Sequence, residues 1–109
     1  MIEYKLLKEI EQNPDSTQRT LAEKLDVSLG KINYVLSGLM KKGIVKAQKL
    51  KNDPRNIRWN YLLTPKGIHE KIRITRDYLD TRLKEFDEIQ LEILELKKEV
   101  AEDKQQIIV

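Results

Sequence analysis

From residue 68 to residue 109 the chain has neither a proline nor a glycine. Helix formers dominate from Pro65 to about Gln105, and apolar residues return at two interleaved seven-residue spacings. One set is Ile72, Leu79, Phe86, Ile93 and Val100; the other is Ile68, Thr75, Arg82, Ile89 and Leu96. The spacing predicts a single helix over 65–105, roughly 60 Å long at about 1.5 Å per residue. No small domain is that wide, so most of the stripe has nothing in its own chain to bury against. An identical helix from a second copy is the simplest cover. Ile72, Leu79, Phe86, Ile89, Ile93, Leu96 and Val100 are the expected dimer interface. Thr75 and Arg82 weaken the seam while Leu83, Leu91 and Leu94 widen it, so a broad helical interface is expected rather than a strict zipper.

Residues 1–64 are left to build one modest core. Ile2, Leu6, Leu7 and Ile10 share a helical face, which predicts a helix over 2–12 that ends at Asn13-Pro14-Asp15. A second helix is expected over 16–25, with Ser16 as its N-cap, Gln18 or Arg19 helping to satisfy the first turn, and Leu21, Ala22 and Leu25 facing inward. Asp26-Val27 makes a short turn. Ser28 then caps a third helix over 28–42, which buries Ile32, Val35, Leu36, Leu39 and Met40 and stops at Gly43. Beyond Gly43 the period changes. Strands are expected over 44–51 and 57–64 around the turn formers Asn52-Asp53-Pro54-Arg55-Asn56, with Ile57, Trp59, Tyr61 and Leu63 on one face. Thr64 caps the next helix and Pro65 suits its first position. The fold class is mainly α with a small β-hairpin: three short helices, a hairpin and one long helix, the order of a winged helix-turn-helix (1–64) with a C-terminal dimerisation helix (65–105).

Charge is uneven along this layout. The net charge is +3, but residues 1–64 carry +5 and residues 65–109 carry −2. Within 41–73, ten lysines and arginines face only Asp53 and Glu70, a local +8 suited to a polyanion. The absence of cysteine excludes disulfides and thiolate metal sites and suits a reducing cytosol. No signal-peptide core or membrane-length apolar run is present, so a soluble cytoplasmic protein is expected. There is no nucleophile–base pair, phosphate-cradling glycine loop or metal-ligand spacing. Neither catalysis, nor a cofactor, nor a metal is expected. His69, the only histidine, reads as a helix-surface residue.

The third helix presents Lys31, Asn33, Tyr34 and Ser37 outward, side chains whose hydrogen-bonding groups suit base edges in a major groove. Ser28 stands at its start. Tyr34 is open to two roles, a nucleic-acid contact or packing near the turn. Lys49, Lys51 and Arg58 either touch phosphates or solvate the hairpin. Trp59 reads as part of the wing packing.

Three segments carry a more specific likeness: Leu21-Ala22-Glu23-Lys24-Leu25-Asp26-Val27-Ser28, Leu39-Met40-Lys41-Lys42-Gly43-Ile44-Val45, and Asp53-Pro54-Arg55 leading to Leu63-Thr64-Pro65-Lys66-Gly67. With them, residues 16–67 resemble the winged helix of the MarR family of bacterial regulators. The resemblance implies a homodimer on double-stranded DNA, with Arg55 in the minor groove and Asp53 orienting it. By position it makes Lys31, Asn33 and Tyr34 the base readers, with Ser28, Gln18 and Arg19 on phosphates. MarR proteins normally add helices that build a ligand crevice. The compact layout here is more similar to the short MarR-like regulators associated with exopolysaccharide genes, and no small-molecule ligand is expected. Two other functions fit the same order of elements: a protein-interaction module and an RNA-binding winged helix.

Overall fold

The computed structural model describes residues 1–49 and 59–108. By its internal contacts the chain divides into Met1–Arg76 and Asp77–Val109. The elements run α1 (Ile2–Gln12), α2 (Gln18–Leu25), α3 (Leu29–Lys41), β1 (Val45–Lys49), β2 (Trp59–Leu63) and α4 (Pro65–Ile108).

In the first unit one apolar face of each helix meets a two-stranded antiparallel sheet. Leu6, Leu7 and Ile10 of α1, Leu21 and Ala22 of α2, and Ile32, Val35, Leu36 and Leu39 of α3 are buried together with Ile44, Val45, Tyr61 and Ile74. Ile2, Leu25 and Met40 sit at the margin of this core. The first unit continues through Arg76, beyond the boundary expected at residue 64, because Ile74 of α4 belongs to the same core.

Backbone hydrogen bonds at the helix ends fix how the elements turn. At the end of α2 the Val27 N–H donates to the Ala22 carbonyl at 3.1 Å and the Asp26 N–H to that of Glu23 at 3.3 Å. Asp26 takes the left-handed conformation, φ 55°, that this Schellman arrangement requires. Gly43 repeats the arrangement at the end of α3 with φ 73°. Its N–H reaches the Met40 carbonyl and the Ile44 N–H reaches that of Leu39, each at 3.0 Å. Both residues following the left-handed position, Val27 and Ile44, turn their side chains back onto the core. Ser28 Oγ accepts from the Lys31 N–H at 3.1 Å and so caps α3.

The start of α2 differs from the sequence expectation. Thr17, not Ser16, is the N-cap, and it forms a reciprocal capping box with Thr20. Ser16 still belongs to the preceding turn, its N–H bonded to the Asn13 carbonyl at 3.0 Å, and the residue is buried.

In the sheet, Val45 pairs with Leu63 and Lys49 with Trp59. Tyr61 enters the core, but Trp59, expected on the same strand face, does not share its burial. Trp59 is 44% exposed and carries the Lys49 ammonium 5.4 Å from its ring centre. Asn60, on the opposite side of the strand by alternation, is also buried and donates from Nδ2 to the Pro14 carbonyl at 2.7 Å. That bond ties the α1–α2 connection to β2. Asn60→Ala leaves the carbonyl unpartnered and lowers stability by about 1–3 kcal/mol, measurable as a drop in the urea midpoint with an unchanged slope.

The entry to α4 is held at several points. Thr64 Oγ1 accepts from the Gly67 N–H at 2.9 Å, capping the helix that Pro65 begins, and donates to the Gly43 carbonyl. The Lys66 ammonium reaches the Lys42 carbonyl at 2.8 Å. Gly67 lies so close to Ile44 that a Cβ there would stand 2.1 Å from the Ile44 carbonyl oxygen. The second unit is helix throughout its described residues, and its large apolar side chains, Leu79 to Val100, are exposed.

Candidate nucleic-acid interface

Three features position the outward side of α3. Its N-terminus is capped by Ser28, its inner face is locked by Ile32, Val35, Leu36 and Leu39, and its C-terminus is closed by Gly43. Lys31, Asn33 and Tyr34 are left exposed. Tyr34 is 78% exposed, which removes the packing role that the sequence left open. Lys31 forms no ion pair among the described residues.

Ser37 has a more specific position than the sequence indicated. Its Oγ donates to Asn33 Oδ1 at 3.2 Å, one helical turn away, so the half-buried hydroxyl orients the carboxamide. Ser28 Oγ accepts from Lys31 N–H and keeps its own proton available for an outside acceptor. The i,i+4 pairing of Asn33 and Ser37 is a signal present in the sequence.

Gln18, expected at a phosphate, is drawn toward the wing. Its Nε2 donates to the Tyr61 hydroxyl at 3.0 Å, linking the first turn of α2 to β2. No sequence signal joins residues that far apart. Arg19 remains exposed and, with Ala22, Glu23, Asp26, Val27 and Leu29, lines a shallow open depression of about 400 Å³ beside the turn between α2 and α3. Lys49 is exposed and rests against Trp59. The wing residues Lys51, Asp53, Arg55 and Arg58 lie outside the described residues.

The basic stretch also changes character on folding. Lys71 pairs with Glu11 at 2.6 Å and Arg73 with Glu70 at 2.9 Å, while Lys66 is committed to a backbone carbonyl. The cations that stay clear of these contacts in the described part of the stretch are Lys41, Lys42, Lys46 and Lys49, and no acidic residue lies between positions 41 and 49. Among the described residues, these cations lie at the α3 C-terminus and on β1.

Residues 2–46 match the family model for winged helix-turn-helix DNA-binding domains. With the hairpin that follows α3 in place, the architecture is settled. The first unit is a winged helix-turn-helix.

Solved structures with this winged helix-turn-helix include Streptococcus pneumoniae FabT in complex with DNA, 26% identical, with a TM-score of 0.60 over 78% of this chain and 58% of that one. The apo form of MarR from E. coli is 28% identical, with a TM-score of 0.59 over 65% of this chain and 51% of that one. A MarR protein from Peptoclostridium difficile shares the fold at 19% identity, with a TM-score of 0.68 over 98% of this chain and 73% of that one. The chain thus spans little more than half the length of the FabT and E. coli MarR structures. No curated protein matches the sequence. Among the described residues no helix is long and apolar enough to cross a membrane, and no group of three or more histidine, aspartate or glutamate side chains is arranged to hold a metal ion.

Proposed function

We propose that the chain is a sequence-specific, duplex-DNA-binding transcriptional regulator that acts as a homodimer. The observation that carries this is the outward face of α3, where Lys31, Tyr34 and a carboxamide held by Ser37 stand exposed on a helix-turn-helix. Asn33 is the base reader, since an oriented carboxamide can accept from one adenine edge atom while donating to another. Lys31 and Tyr34 reach the same groove. Ser28, Arg19 and Lys49 contact phosphates, and backbone contacts of this kind fix register. The likeness to a FabT structure solved with DNA supports the duplex as the partner.

Gln18 is a positioning residue in this reading, because its amide holds Tyr61. The MarR resemblance supports Arg55 as the minor-groove residue with Asp53 orienting it and Lys51 and Arg58 beside it. It also makes exopolysaccharide genes the first class of target to examine.

The test is a competition gel shift among random duplex DNA, single-stranded RNA and a selected duplex site. Duplex DNA wins, and affinity falls steeply as salt rises because counterions are released on binding. Asn33→Ala leaves the melting temperature unchanged and removes about 1–3 kcal/mol of discrimination at one base pair per half-site. Ser37→Ala shifts discrimination at the same base pair by less. Preference for RNA would overturn the duplex reading. Binding to no nucleic acid would make the fold a protein-interaction module.

A further inference from the structure

The second unit exposes an apolar stripe, and the charges beside it are not symmetric. With Phe86, Ile93 and Val100 at one seam position and Ile89 and Leu96 at the other, Glu85, Glu92 and Glu99 form one flanking column. Leu83, Gln90, Lys97 and Lys104 form the opposite column. One flank is acidic along its length and the other turns basic toward the C-terminal end.

Flanking columns of this kind set the orientation of paired helices. In a parallel, in-register pair each acidic flank lies against the other copy's basic flank. Glu92 then faces Lys97 of the second copy, Glu99 faces Lys104, and Glu85 faces Gln90, each contact occurring twice by symmetry. In an antiparallel pair like flanks meet, which sets glutamates against glutamates and leaves Lys97 without an acidic partner. Opposite charges across such a flank attract and like charges repel by similar amounts. The β-branched Ile93 and Val100 with Leu96 at the alternate position follow the two-strand pattern, from which Ile89 departs.

Arg82 marks where the tight seam begins. It occupies a seam position, and its guanidinium bonds Glu85 of its own helix at 2.9 Å. Two such groups facing each other do not form an apolar layer, so close packing starts at Phe86.

We propose that residues 86–104 pair with a second copy of this chain as a parallel, two-stranded coiled coil, oriented by Glu92–Lys97 and Glu99–Lys104 contacts between copies. The inference rests on the homodimer proposed above and goes further, to its orientation and strand number. It brings the N-terminal ends of both copies of α4 to the same end of the coil.

The chain has no cysteine, so single introduced cysteines report orientation without interference. Val100→Cys in the full chain, mildly oxidised, forms a disulfide-linked dimer, because parallel pairing sets the two positions in one layer. Lys98→Cys, on the far side of the helix, does not. An antiparallel pair with residue 82 opposite residue 100 would place the two copies of residue 100 roughly 27 Å apart. Val100→Cys chains that stay unlinked alone but link when mixed with Arg82→Cys chains would then mark the antiparallel arrangement, and that result overturns the proposal.

Sedimentation of the unmodified chain gives twice 12.9 kDa at micromolar concentration. A monomer would overturn the homodimer itself. A dimer without Val100→Cys cross-linking overturns only the orientation, and a trimer or tetramer overturns the strand number. The double variant Glu92→Lys/Glu99→Lys weakens self-association about tenfold or more at low salt, less at high salt. Unchanged association would remove the charge argument.

Discussion

Gly67→Ala destabilises the first unit by about 3 kcal/mol, a loss at the upper end of what overpacking usually costs. For a unit of this size it appears as a fall of roughly 12–24 °C in melting temperature. The cause is main chain against main chain. A Cβ at position 67 would lie 2.1 Å from the Ile44 carbonyl oxygen and 3.0 Å from its carbon. No side chain can rotate away to relieve that contact. Ile44 is also pinned on both sides: its N–H bonds the Leu39 carbonyl at 3.0 Å, and its own carbonyl accepts from the Thr64 N–H at 3.1 Å. The first turns of α4 must therefore shift, which strains the Thr64–Gly67 cap and draws Ile74 out of the core.

The same substitution at Gly38 has the opposite sign. Gly38 is helical and a Cβ there meets nothing within 4 Å. Gly38→Ala stabilises by up to about 1 kcal/mol, because alanine loses less backbone entropy in a helix. Calorimetry of the two variants side by side separates close approach from helix propensity. If Gly67→Ala melted with the unmodified chain, α4 would not lie against Ile44.

Leu36→Ala costs about 3 kcal/mol, within the range for truncating a buried leucine. Leu36 has no exposed surface and sits at the middle of α3, which packs on α2 and β1. Whole domains are stable by only about 5–15 kcal/mol, so this one cavity removes a large part of the margin. Urea denaturation shows a lower midpoint at unchanged slope. Below that midpoint duplex affinity stays within a few fold, because Leu36 lies on the inner side of the helix. Asn33→Ala gives the reverse pattern, with intact stability and lost discrimination. An unchanged midpoint in Leu36→Ala would mean that α3 is not seated on this core.

The helices were legible because their signals are local. Ser28 and Gly43 mark the ends of α3 through the caps they form with neighbours a few residues away. The apolar faces of α1, α2 and α3 follow from helical spacing alone. Thr17 was also legible, through its partner Thr20, but adjacent cap-type residues obscured it. Ser16 and Thr17 both suit a cap, and burial of Ser16 in the turn decides between them. In the candidate site, the exposed Lys31, Asn33 and Tyr34 follow from the periodicity of α3. The Ser37 contact to Asn33 follows once i,i+4 neighbours are considered.

What the sequence could not disclose depends on partners far along the chain. Asn60 looks like a surface residue of a strand, yet the Pro14 carbonyl needs a donor and draws it inward. Trp59 shares a strand face with the buried Tyr61 by alternation, yet its register places it opposite Lys49, at the other end of the two strands from the Val45–Leu63 pair. Gln18 looks free to meet a phosphate, yet Tyr61 holds it. Among the described cations between positions 41 and 73, Lys66, Lys71 and Arg73 are committed to oxygen acceptors inside the protein.

The long run without proline or glycine determined one element by itself, since nothing in that segment interrupts backbone hydrogen bonding from Pro65 to Ile108. The sequence likewise determined that the exposed stripe along it needs a cover. Where the first unit ends was decided only in three dimensions. Gly67 lets α4 approach the Ile44 backbone, and Ile74 is then buried with residues from three other helices and the hairpin. Spacing along the chain specifies which side chains share a face. It does not specify which distant carbonyl that face will meet, because that contact exists only once the elements have packed.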